Sequence, residues 1–173
     1  MKNFMAFYRI ASYILLILAG IWCIFDFLML LFALSNPMIF LSVFIFTSVI
    51  IYSFTSFNFM TNGLQNGKHL KPSLKDWIKV NAYVSIAFGA LVIINIITFY
   101  SSPANMAEMI RQANDMQTKM KSASNVTPQV ISAMKGVMSF MVIYALLLLS
   151  HVFITLKLVK ENGQLFGPKN TEA

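Results

Sequence analysis

The chain has 173 residues, 58% of them apolar and only 11% charged, with a formal charge of +7. A soluble domain averages roughly 45–50% apolar and about 25% charged, and one of this size has too little polar surface to cover so much hydrocarbon. Composition therefore excludes a disordered chain, a collagen and a disulfide scaffold, argues against a soluble enzyme, and points to an integral membrane protein.

The first segment starts with Lys2 and Arg9 and an apolar stretch, Ile14–Ala19, which has the outline of a signal peptide. The apolar run continues to about Leu34, however, long enough to cross a bilayer. Cys23, the single cysteine, is preceded by the bulky Ile21 and Trp22 rather than the small residues of a lipoprotein cleavage site. A retained span over Ile10–Leu34 is expected. One thiol also excludes an intrachain disulfide.

A bilayer core about 30 Å thick needs about 20 helical residues. Three further stretches meet that length: Met38–Met60, Val80–Tyr100 and Gly136–Leu156. Ser35-Asn36-Pro37 breaks the helix between spans one and two. Ser73-Leu-Lys-Asp76 has the spacing of a capping box at the start of helix three, and Trp77 would then lie at headgroup level. Ser102-Pro103 and Thr127-Pro128 each pair an N-cap residue with a proline at the first helical position. They predict a helix from Pro103 to about Lys121 and another from Pro128 into span four.

The expected fold is an all-α membrane protein, an up-down four-helix bundle with an outer helical hairpin, 101–135, between helices 3 and 4. In that arrangement Lys2, Arg9, Lys68, Lys71, Lys75, Lys79, Lys157, Lys160 and Lys169 fall on one side, and Arg111, Lys119, Lys121 and Lys135 on the other. The larger group hugs the span ends, which predicts cytoplasmic N- and C-termini and an inner-membrane location in a bacterium.

The two hairpins resemble each other. Arg9-x3-Tyr13 is matched by Lys79-x3-Tyr83, Ala19-Gly20 by Gly89-Ala90, and Asn62-Gly63-x3-Gly67 by Asn162-Gly163-x3-Gly167. Two origins fit: a parallel duplication, or repeated use of basic-aromatic anchors and of Asn-Gly as a C-cap with a left-handed residue.

Each span carries small or polar residues at helical spacing, expected to face the bundle interior. They are Ser12, Ala19, Cys23, Asp26 and Ala33; Ser48, Tyr52 and Thr55; Asn81, Ser85, Gly89 and Asn95; and Tyr144, His151 and Thr155. A carboxylate in hydrocarbon costs at least ~2.5–3.5 kcal/mol, so Asp26 must be paired, protonated or hydrated. It lies roughly 24 Å from the inner end of span one, near the depth of Asn95. His151 lies only some ~8 Å from the inner end of span four, near the levels of Asn58, Ser85 and Tyr13. Depth therefore predicts Asp26–Asn95 and a bond from His151 to Asn58 or Ser85.

In the outer segment, Met106, Met109, Ile110, Ala113, Met116 and Met120 share one helical face. Thioethers can bind Cu(I), but no His or Cys accompanies these, and methionine is an adaptable interface residue. The opposite side offers Glu108–Arg111 and Asp115–Lys119 at pairing distance. Lys68, His69, Lys71, Lys75 and Lys79 form the strongest basic cluster, suited to anionic lipid rather than to nucleic acid.

No phosphate loop, nucleophile elbow or His-Glu-x-x-His appears. No catalytic residue, cofactor or metal site is expected. The resulting expectation is a non-enzymatic membrane protein acting through assembly, as a homo-oligomer or with another membrane protein, with the Met-rich face as contact surface. The alternative is a small proton or cation transporter using Asp26.

Overall fold

The computed structural model describes residues 2–102, 104, 105, 107, 108, 110–112, 115 and 128–167. Among them every regular element is a helix, with no strand. The long helices are α1, Lys2–Ala33; α2, Phe40–Asn58; α3, Pro72–Ser101; and α4, Pro128–Glu161. Four helical stretches are long and apolar enough to span a bilayer: Phe4–Ala33, Pro37–Gln65, Pro72–Ser101 and Ser132–Glu161, with mean hydropathies of 2.7, 2.1, 2.2 and 2.3. The molecule is an all-helical membrane protein.

The helix boundaries follow from local chemistry. α1 has no proline and ends where Ser35 and Asn36 turn back to the Phe32 carbonyl at 3.0 and 3.1 Å. The Asn36 side chain then accepts a bond from the Met38 N–H, and Pro37 takes the first position of a 3-10 turn, Pro37–Ile39, that leads into α2. α3 starts at Pro72, one residue before the expected capping serine. Proline at the first helical position has no N–H to satisfy, and the Leu74 N–H donates to the Lys71 carbonyl at 3.0 Å. α4 starts at Pro128 and runs unbroken for 34 residues.

The chain divides into two compact units, 1–88 with 147–173, and 89–146. The core of the first is lined by Tyr8, Ala11, Leu15 and Ala19 of α1, Tyr52 of α2, Ile78 and Ala82 of α3, and Leu148, Val152 and Val159 of α4. The alanines allow helices to approach closely, which in lipid replaces hydrophobic exclusion as the source of packing. Gly20 has open space around it, so only Ala19 of the expected small pair faces a neighbour.

The Asn-Gly segments depart from their expected role. α2 widens into a π-helix, Phe59–Gln65, and Gly63 is buried inside it. A Cβ on Gly63 would stand 2.8 Å from Leu70 Cδ1, so this glycine permits close packing. The left-handed residue is Gly67, with φ +60°. At the other Asn-Gly, α4 ends with Asn162 Nδ2 bonding the Leu158 carbonyl at 2.9 Å. Asn162 has φ −108°, and a 3-10 turn, Gly163–Leu165, follows. The two segments meet: the Leu70 N–H donates to the Leu165 carbonyl at 2.7 Å, and Phe59 stacks on Phe166 at 5.3 Å.

In the second unit, Tyr144 and Ala145 are buried. Arg111 grips Glu108 with two bonds of 2.7 and 2.8 Å and approaches Asp115 at 3.6 Å. Lys119, the expected partner of Asp115, lies outside the described residues.

Candidate functional site: two polar centres

The first centre is built on His151, fully buried in the second half of α4. Its Nε2 lies 2.8 Å from Ser12 Oγ of α1, and its Nδ1 lies 2.8 Å from Tyr52 Oη of α2. Tyr52 Oη is also 2.9 Å from Thr155 Oγ1, which is 3.2 Å from Tyr8 Oη. The Tyr8 ring stacks on the imidazole, with centroids 4.7 Å apart and planes 11° off parallel, while Tyr52 meets it edge-on.

One hydrogen per hydroxyl limits the bonding. Ser12 has one hydroxyl hydrogen, and it goes to the Tyr8 carbonyl at 2.8 Å. With that assignment Ser12 Oγ accepts from Nε2–H and Nδ1 accepts from the Tyr52 hydroxyl, the tautomer being assigned from the hydrogen-bond network. Thr155 gives its hydrogen to the His151 carbonyl at 2.8 Å, leaving its oxygen to accept from Tyr8. A neutral imidazole thus satisfies every donor, and three helices are tied together. This closure matters because an unmet polar group has no water to turn to inside a membrane.

The expected partners of His151 are therefore corrected. Ser85 donates to the Asn81 carbonyl at 2.8 Å, and Asn58 accepts from Asn62 at 2.6 Å. Ser12 and Tyr52 take their place. Tyr8, which the sequence reading left outside span one, is buried in α1 because the helix begins at Lys2. The legible signal was the spacing Tyr8-x3-Ser12 on α1 and His151-x3-Thr155 on α4, each placing two polar groups on one helical face.

The second centre is Asp26 of α1. Thr47 Oγ1 of α2 donates to its Oδ2 at 2.6 Å. The other oxygen, Oδ1, is buried with no hydrogen-bond partner. The expected Asp26–Asn95 bond is not formed: the Asn95 carboxamide donates to Leu91 of its own helix at 2.8 Å and is exposed. Aromatic rings line the α1–α2 contact beside the carboxyl. Trp22, one turn before Asp26, lies 5.7 Å from Phe46, which lies 5.4 Å from Phe88. Cys23 is exposed, not part of the inward stripe. It is three residues before Asp26, yet the helix turn that faces α2 is carried by Trp22 and Asp26.

Lys68 and Lys71 are exposed in the segment between α2 and α3, whereas Lys75 and Lys79 are on α3 itself. Of the Met-rich face, Ile110 is half-buried, and Met106, Met109, Met116 and Met120 lie outside the described residues. Among the described residues, no three His, Cys, Asp or Glu side chains cluster as a metal site would require. No family profile matches the chain, and no curated protein and no solved structure matches it either.

Proposed function

We propose that this is a non-enzymatic inner-membrane protein that acts through assembly, as a homo-oligomer or as an accessory subunit of another membrane protein. Its helices form an up-down bundle with both termini in the cytoplasm and the segment 101–135 outside. The observation that carries this reading is the closure of the His151 network. The one buried histidine has both ring nitrogens engaged by Ser12 and Tyr52 of the same chain, which supports reading it as a tie between helices. The outer segment agrees: Arg111 pairs with both Glu108 and Asp115 on its polar side, and spacing puts the methionines and Ile110 on the other.

Replacing Met109, Ile110 and Met116 together by serine is expected to leave membrane insertion intact and to reduce the native oligomeric mass or strip a co-purifying subunit. A folded variant with unchanged mass and partners would remove the interface from this segment. Reporter fusions after Thr118 and after Gly167 should report opposite sides of the membrane.

A second reading, transport of protons or small cations through Asp26, is favoured by its unpartnered buried oxygen. Proteoliposomes containing Asp26→Asn should retain any flux under the assembly reading and lose it under the transport reading.

A further inference from the structure

Lys75, Lys79 and Tyr83 recur every four residues along one face of α3, and Leu156 and Lys160 do the same on α4. The five side chains line a cleft of about 420 Å³. Three lysines from two helices therefore line one space. Among the described residues, none of the three has a carboxylate within ion-pair distance. The acids of these helix ends are directed elsewhere: Glu161 approaches Lys157 at 3.9 Å, and Asp76 lines a different cleft with Ser73, Trp77 and Val80. Lys75 Nζ is 6.0 Å from the centre of the Phe166 ring, within reach of a cation–π contact.

Concentrating three like charges in one cleft is unfavourable until an anion neutralises them. The other walls of the cleft are the aromatic ring of Tyr83 and the hydrocarbon of Leu156, both on membrane-length helices. Apolar surface continues from them, with Phe153, one turn from Leu156, 60% exposed. A ligand with phosphate at one end and hydrocarbon at the other matches this sequence of surfaces.

We propose that Lys75, Lys79 and Lys160 form a binding site for the phosphate headgroup of an anionic phospholipid, with Tyr83 and Leu156 receiving the start of its acyl chains. Basic pockets between membrane helices hold lipid headgroups in this way. Two phosphates against three ammonium groups make diphosphatidylglycerol the fitting probe. The site excludes Lys68 and Lys71, which lie off the cleft, and adds Lys160, 81 residues further along the chain than Lys79. It rests on the chain being a membrane protein but not on which way the helices point.

The test uses the purified full chain in mild detergent, where sidedness plays no part, with lipid retention read by native mass spectrometry. Diphosphatidylglycerol is titrated against the wild type, against Lys75→Gln/Lys79→Gln/Lys160→Gln, and against the charge-matched control Lys68→Gln/Lys71→Gln/Lys157→Gln. The cleft variant is expected to lose roughly 100-fold in apparent affinity, from about fivefold per lysine, and the control less than about threefold. Phosphatidylcholine should bind weakly to all three proteins. Circular dichroism checks folding; if the triple variant misfolds, Lys160→Gln alone should still lose about fivefold. Equal losses in the two triple variants would reduce the site to bulk charge attraction and overturn it. Displacement of the lipid by an equal concentration of inorganic phosphate would overturn the lipid as the source of the phosphate.

Discussion

The two polar centres share helix α1 and its contact with α2, yet they differ in completeness. Ser12 belongs to the His151 centre, and Asp26 lies fourteen residues further along the same helix, roughly 21 Å away. At His151 three helices contribute, each hydroxyl hydrogen has an acceptor, and the side chains are buried. At Asp26 two helices contribute, one oxygen is bonded and the other has no partner. A closed network stabilises helix contacts in lipid; an open one leaves bonding capacity for a proton, a cation or a second chain. The difference separates a saturated helix contact from one with bonding capacity left over.

The strongest challenge to this contrast is His151→Leu. It removes the central acceptor and donor while keeping volume, and leaves Ser12 Oγ and Tyr52 Oη short of a partner. The expected loss is roughly 2–4 kcal/mol, measured as reversible unfolding in mixed micelles. A loss under about 0.5 kcal/mol would mean the network contributes nothing beyond what the unfolded chain finds in the membrane.

Tyr52→Phe is the next step down. The Tyr52 hydroxyl donates to His151 Nδ1 and lies 2.9 Å from Thr155 Oγ1, so its removal should cost about 1–2 kcal/mol by the same measurement. A neutral result would leave the α1–α4 bonds, Ser12 to His151 and Tyr8 to Thr155, as the ties that matter.

Asp26→Asn sharpens the comparison from the other side. The carboxamide keeps an acceptor for Thr47, and the orphaned position is no longer part of a carboxylate. Stability should change by less than about 1 kcal/mol. A loss as large as that of His151→Leu would place both centres in the same structural role.

The smallest effect lies outside both centres. Hydrogen bonds from Arg111 first, and then from Gln112, hold the Glu108 carboxyl down at about 2 against an ordinary value of 4.5, and the same pairing raises Arg111. A depressed carboxyl contributes its stabilisation fully above 4.5, and loses it as pH falls through about 2. The helical signal of this segment should therefore be unchanged from neutral pH down to 4.5, and decline between 4.5 and about 2. The pair is fully exposed, so the change is local. Glu108→Gln should remove the acid transition without altering the unfolding of the bundle.

Much of the helix content was legible. The expected spans Ile10–Leu34, Met38–Met60, Val80–Tyr100 and Gly136–Leu156 correspond to the four membrane-length helices, which extend further at several ends. The extension is physical: a helix does not stop where hydrocarbon stops, so α1 includes Tyr8 and the second spanning stretch runs on to Gln65. The importance of His151 and Asp26 was also legible, since a polar group in an apolar run must be accounted for. Their partners were not. Depth along a helix was estimated from assumed span ends, and each residue of error shifts a side chain by about 1.5 Å and about 100° around the axis. That is enough to exchange Ser85 for Ser12 and Asn95 for Thr47. Asn62-Gly63 misled for a related reason: a dipeptide common in C-caps was needed here for close packing against Leu70 and Leu165.

Apolar length, the placement of proline and the rarity of charge determined by themselves that this chain makes membrane-spanning helices and roughly where they break. Those properties are local, because each helix satisfies its own backbone within lipid. Which face of each helix turns inward, that Cys23 and Asn95 are exposed, and that Ser12, Tyr52 and His151 meet, were decided only by tertiary structure. A bond of 2.8 Å between residues 139 positions apart depends on the rotation and depth of two helices at once, and no local pattern encodes both.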